Sequence, residues 1–296
     1  MNIGAFDITE PIPELKEPHV VSVLVPWMDA GSVGTLAIGS LMRYFDAQEL
    51  GKLSTPGRFF DFTRYRPTAQ NIEGRREITV PNSHIYLVKR ESGNDLLLFH
   101  LLEPHSNAEE YLESVIQLLT YFKVERYLRI GGMYSSVPHT RPLRVTGSPG
   151  TENIEELSGL ISVRRSSGNY QGPLSILSLA NDALEESGVE TMSLMIQLPQ
   201  YLDLDEDYAG EARLLEIICQ LYQLPASLID REPGTKQYSD LTKEMSGNSA
   251  FEELVGELEA AYDARNQSSS SSLTTPPLSP KVDQFLREMG QQFEGR

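Results

Sequence analysis

The sequence predicts an α/β protein built as a three-layer α/β/α sandwich, a mostly parallel sheet between layers of helices, with a C-terminal helical subdomain. Three observations carry that reading. Apolar runs of strand length recur without polar alternation, as at Val20–Val25, Leu96–Leu102 and Met192–Leu198, and unbroken hydrophobicity marks strands covered on both faces. Stretches with helical spacing lie between these runs, and strands joined by crossover helices pair in parallel. Beyond Pro199 the spacing is helical only.

Residues 1–18 carry Asp7, Glu10, Glu14 and Glu17 and have neither a basic start nor an apolar run. They read as an N-terminal extension without a signal or transit peptide, so a cytoplasmic location is expected. The core spans 19–200. It opens with the strand Val20–Val25, a glycine-containing turn and the helix Val33–Phe45. Further strands are expected at Ile85–Val88, Leu96–Leu102, Tyr127–Ile130 and Met192–Leu198. Helices are expected at Ala108–Phe122, with Leu112, Val115, Ile116 and Leu119 on one face, and at Leu174–Glu186. An acidic helical subdomain follows over 201–265. Leu214, Leu215, Ile218, Leu221 and Tyr222 line one helix there, and Phe251, Leu254, Val255, Leu258 and Tyr262 another. Residues 266–280 are rich in Ser, Thr and Pro, the composition of a disordered tether. In 281–296, Val282, Phe285, Leu286, Met289 and Phe293 form the stripe of a short amphipathic helix.

A chain of 296 residues can bury a sizeable core. No run approaches the ~18 apolar residues that span a bilayer, so no membrane insertion is expected. The net charge is −17, with 15 acidic against 5 basic side chains between Asp203 and Arg265. Such a balance opposes the phosphate-neutralising surface that nucleic acid requires. Cys219 is the only cysteine, which excludes an intrachain disulfide and a multi-cysteine metal site. Its place beside an apolar helix face reads as packing.

Candidate chemistry gathers in loops beyond the carboxyl ends of the strands. The turn Pro26–Thr35 contains Asp29, Gly31 and Ser32 and opens a helix, where amide groups can hold an anion. The alternative is a tight turn with Asp29 or Ser32 as helix cap. Asp61, in an aromatic and charged segment, and Glu103, after the strand ending at Leu102, are placed to meet Asp29 above the sheet. Such carboxylates either share a proton or a cation, or form ion pairs with Arg64, Arg66 or Arg141. Gly131-Gly132 and Val137-Pro138-His139-Thr140-Arg141-Pro142 follow the strand Tyr127–Ile130. His139 suits acid/base work and Arg141 the bidentate grip of an anion. No Ser–His–Asp order and no metal-ligand spacing accompanies them, so neither a metal nor a cofactor is expected.

Taken in order, Trp27-Met28-Asp29-Ala30-Gly31, Phe60-Asp61-Phe62 with Arg66-Pro67, Glu103-Pro104, Gly131-Gly132, the Val137–Pro142 run, Tyr170-Gln171-Gly172-Pro173 and Leu198-Pro199-Gln200-Tyr201 resemble the proteasome assembly chaperone 2 family in its bacterial branch. The resemblance covers about residues 18 to 265. It implies a three-layer phosphorylase/hydrolase-like fold, a helical C-terminal part and homo-oligomers, a trimer being the expectation, without implying a particular reaction. Met28 and Gln200 stand where the family often has Asn and His. The chain ends Phe293-Glu294-Gly295-Arg296, which departs from the hydrophobic-Tyr-any tail of eukaryotic and archaeal relatives, so proteasome docking by that route is not expected.

Two functions remain open from the residues. One is a non-enzymatic assembly or scaffolding protein that self-associates and reaches another protein through 281–296. The other is a protein or enzyme for a small anionic ligand, a nucleoside or phosphate, held by Asp29, Gly31, Asp61, Glu103, Gly132, His139 and Arg141.

Overall fold

The computed structural model describes residues 1–72, 74–148, 154–163 and 174–267. The Tyr170–Pro173 motif, residues 268–280 of the expected tether and the expected helix at 281–296 lie outside the described residues, while Asn266 and Gln267, expected to begin the tether, belong to the last helix.

Strand β1 (Asn2–Ile3) and strand β2 (Phe6–Ile8) begin the chain, followed by β3 (His19–Val25), helix α1 (Val33–Phe45) and β4 (Gln48–Leu53). A hairpin of β5 (Thr68–Ile72) and β6 (Arg75–Thr79) precedes β7 (His84–Val88), β8 (Leu96–Leu102), α2 (Ala108–Tyr121) and β9 (Arg126–Ser135). Short strands β10 (Val145–Gly147) and β11 (Ser162–Val163) lead to α3 (Asn181–Glu186) and β12 (Glu190–Pro199). Helices α4 (Tyr208–Tyr222), α5 (Glu232–Glu244) and α6 (Ser249–Gln267) complete the described chain.

One sheet runs in the order β1-β2-β4-β7-β8-β3-β9-β12-β10-β11. Its centre, β8-β3-β9-β12, is parallel. The strands from β1 to β8 pair antiparallel, as does β10 with β12. The sheet is therefore mixed. The expected parallel pairing holds for these four central strands and for β10 with β11, while β7, the run Ile85–Val88, pairs antiparallel with β8.

Helices cover both faces. Val21 and Val23 of β3 join Ala37, Ile38 and Leu41 of α1 and Leu214 and Ile218 of α4 in one core, while Val20 and Leu24 join Val115, Leu118 and Leu119 of α2 in the other. Each fully buried Leu, Ile or Val contributes about 1.5–3 kcal/mol of transfer free energy, which is why β3 tolerates no polar alternation. Helix α4 thus shares the sheet's own core. Tyr201, Leu254 and Leu258 form a separate small cluster under α6.

Two further expectations need correction. Residues 1–18 do not stand outside the core, because Ile3, Phe6 and Ile8 are buried and β2 pairs with β4. The helix expected over Leu174–Glu186 is a 3-10 turn, Ile176–Ala180, running into the short α3, with Leu174 and Leu179 exposed. The hairpin β5–β6 forms a sheet of its own, and every residue of its strands is exposed.

Candidate functional site

Strands β8, β3 and β9 are neighbours, so the segments after Leu102, Val25 and Ser135 leave the sheet along one rim. Their candidate residues separate into three groups.

The first is the turn after β3. Asp29 is buried and forms an isolated parallel bridge with Gly132, whose N–H donates to the Met28 carbonyl at 2.8 Å. The Asp29 carboxylate accepts from Gly34 N at 2.7 Å and from Thr35 Oγ1 at 2.6 Å. Burial raises its pKa, while the bonds from Thr35 and Gly34 pull it back. The amides at the start of α1 therefore already hold an anion, the protein's own. Ser32 does not cap; its hydroxyl donates to the Asp205 carbonyl at 2.8 Å. Gly31 adopts φ +58°, a left-handed conformation that favours glycine, and its carbonyl accepts from Asp207 N at 2.8 Å. Behind Asp29, the Thr35 hydroxyl accepts from His100 Nε2 at 3.3 Å.

The second group is Val137–Pro142. Ser135, the last residue of β9, is level with Pro199, the last of β12, which brings Tyr201 beside His139. Tyr201 Oη accepts from the His139 backbone N–H at 2.8 Å and lies 2.6 Å from Nδ1. Nε2 lies 2.9 Å from Thr242 Oγ1, and that hydroxyl donates to the Tyr238 carbonyl. Thr242 thus accepts from Nε2–H and Nδ1 accepts from Tyr201, so one neutral tautomer satisfies every partner. Burial lowers the ring's pKa, with Glu259 opposing. Tyr238 donates to Asp207 at 2.8 Å, whose other oxygen caps α4 through Gly210 N at 2.7 Å. Arg141 grips Asp263 through Nε at 3.1 Å and Nη2 at 2.9 Å, and Glu259 through Nη1 at 2.8 Å. Thr140 also donates to Glu259, and Arg144 stacks on Tyr262 with 4.0 Å from its guanidinium carbon to the ring centre.

The third group is Asp61 and Glu103, which meet around His105 rather than around Asp29. Asp61 is exposed and accepts from the backbone and hydroxyl of Thr63, both at 2.8 Å, which lowers its pKa. Its own N–H donates to His105 Nδ1 at 3.2 Å. Glu103 is half-buried, and burial raises its pKa. Among the described residues no three His, Cys, Asp or Glu side chains cluster so as to hold a metal ion. Arg141 pairs with α6 and with none of the three expected carboxylates.

Sequence reasoning missed the partners: Thr35, His100, Asp207, Tyr238, Thr242, Glu259 and Asp263. Only Asp207 had a readable signal, as an N-cap three residues before Gly210.

These features define an α/β/α protein whose last helices are clamped to the loop after β9. The PAC2 family profile matches residues 23–240, most of the chain, and the chain belongs to the PAC2 family. Similar solved structures include a Corynebacterium glutamicum protein of unknown function, with TM-score 0.78, 20% identity and coverage of 89% of this chain and 98% of that one. A PAC2 family protein from Streptomyces avermitilis has TM-score 0.68 and 24% identity over 80% of this chain and 99% of that one. A Mycobacterium tuberculosis proteasome-assembly chaperone homologue has TM-score 0.67 and 20% identity over 80% and 99%. No curated protein matches the sequence. Among the described residues no helix is long and apolar enough to cross a membrane.

Proposed function

We propose that the chain is a non-enzymatic, cytoplasmic homo-oligomer of assembly-chaperone or scaffolding type. One observation carries the reading: the polar groups of the Val137–Pro142 run are spent inside the chain. His139 has both ring nitrogens occupied, and Arg141 is paired with both Glu259 and Asp263. The run acts as a strap for α5 and α6 rather than as a reacting centre. The name borne by the Mycobacterium tuberculosis relative, a proteasome-assembly chaperone homologue, supports the same direction.

The hairpin β5–β6 supports self-association. A lone two-stranded hairpin is marginal in water, and this one presents Ala69, Ile78 and Val80 on one face, with Ile78 60% exposed. A second copy of the chain covering that face would supply its missing packing. Light scattering tests this. The wild type is expected at a multiple of the monomer mass, with three copies the number proposed, and Ile78→Glu is expected to lower it. A monomeric wild type at micromolar concentration defeats the reading. Contact with another protein through 281–296 belongs to the same proposal, and pull-downs with and without that segment test it.

A second reading, a nucleoside or a small anion such as phosphate bound at Arg141, draws on a cavity of about 460 Å³ bordered by His139, Arg141, Arg213, Arg231 and Tyr238. The arginines there are already paired, Arg213 and Arg231 sharing Glu216 at 2.8 and 2.7 Å. Thermal stabilisation by nucleosides that Arg141→Met abolishes would favour this reading over the first.

A further inference from the structure

The sheet face that packs on α2 and α3 carries a polar row at its centre. Ser22 of β3, Arg129 of β9 and Ser193 of β12 are register partners across three adjacent parallel strands, so their side chains stand together on that face. A cavity of about 150 Å³ opens over the row, bordered also by Ser175, Ser178 and Trp27.

Arg129 forms no ion pair among the described residues. Its Nη1 donates to Ser178 Oγ at 3.1 Å, and its Nε is buried without a hydrogen-bond partner. A buried guanidinium is ordinarily matched by a carboxylate. Arg129 is half-buried with its Nε fully buried, and among the described residues no carboxylate meets it, which is a specific arrangement in so acidic a chain. Burial lowers the Arg129 pKa, with the Tyr127 hydroxyl opposing.

The hydroxyls point the same way. Ser22 Oγ accepts from Tyr127 at 3.4 Å, Ser175 Oγ from Leu177 N at 3.3 Å, and Ser178 Oγ from Arg129. Having accepted, each keeps its own O–H to donate. The cavity offers a cation and several donors, and none of the described residues that border it is an acceptor carrying negative charge.

We propose that this cavity binds a small oxyanion, with Arg129 as its counter-charge and Ser22, Ser175 and Ser178 as donors. A cavity of this size admits roughly six non-hydrogen atoms, which suits inorganic phosphate, sulfate or a short carboxylate and leaves out a nucleotide. The site is separate from the Arg141 cavity, and it does not depend on the assembly reading.

Trp27 is the chain's only tryptophan and borders the cavity, so its fluorescence reads occupancy. The full chain is titrated with inorganic phosphate, sulfate and acetate at constant ionic strength, with chloride as control. A saturable change with at least one oxyanion and none with chloride is expected. Which anion saturates tells a tetrahedral ligand from a carboxylate. Arg129→Met is expected to weaken the apparent affinity on the order of ten-fold or more. Arg129→Lys, which keeps the charge, and Ser178→Ala are expected to give smaller losses and serve if the methionine variant does not fold. A wild type flat for all three oxyanions overturns the proposal, as does binding that the Arg129 substitutions leave unchanged.

Discussion

Gly131 lies where β9 passes against the turn after β3, and a Cβ built on it would sit 2.0 Å from the Met28 carbonyl oxygen. Backbone cannot yield as a flexible side chain does, so Gly131→Ala must displace the turn that carries Asp29. We expect a loss of about 3 kcal/mol or more in urea unfolding. Gly256, inside α6, has no described atom within 4 Å of a built Cβ. There, Gly256→Ala is expected to add about 0.5–1 kcal/mol through helix propensity. Equal effects at the two positions would refute the close approach as the cause. At this scale the sequence was partly legible. Asp29, Gly31, His139 and Arg141 stand out by type and spacing, and all four proved tightly engaged. What they engage was hidden, since Asp263 and Tyr201 are brought to them only by the fold.

At the scale of elements, α6 is held by its small apolar cluster and by the strap from β9. Tyr201→Phe would leave the buried His139 N–H and Nδ1 without their shared hydroxyl, a cost of about 1–3 kcal/mol. Arg141→Met would release both carboxylates of α6. Hydrogen exchange should then accelerate in α6, roughly three- to ten-fold for Arg141→Met, while β3 and β9 stay protected. Uniform acceleration across the sheet would show instead that α6 is not a separately opening unit. Unbroken apolar runs made β3 and β8, and helical spacing made α1 and α2, readable almost to the residue. Helix α5 escaped because its sequence is polar and Gly234 is its only buried residue. A Cβ there would lie 2.5 Å from Ala209 of α4, so close backbone approach places it, and hydropathy does not record that. Strand β4 escaped for a related reason, its Gln48, Glu49 and Lys52 facing water near the sheet's antiparallel flank.

For the whole molecule, neutral buried histidines set the response to acid. Burial, with Arg126 next, lowers His19 from its ordinary 6.5 to about 4, and Arg90 acts in the same direction while Glu190 opposes. Burial lowers His100 and His139 as well. The unfolded chain takes up these protons near pH 6.5 and the folded chain resists, so stability falls as pH drops from about 6.5 toward 4. The His19 share is up to about 2 kcal/mol, allowing for the water that reaches its ring from the adjoining cavity. Asp29 and Asp207, whose pKa values burial raises, work in the opposite sense in the carboxylate range. Melting temperatures from pH 7 to 4.5 should decline, and His19→Gln should flatten the curve. A rise over that window would contradict the assignment.

The borders of the sheet bear on how copies of this chain can combine. Among the described residues β1 and β11 have two residues each, against a usual strand of about five or six. Over the described residues a neighbour's strand would find few amides to latch on at β1 or β11, so extension of the sheet from molecule to molecule is disfavoured there. Copies that associate are then expected to use other surfaces, and the three-copy assembly proposed above closes at a definite size. Raising concentration should fill that size and then stop adding mass.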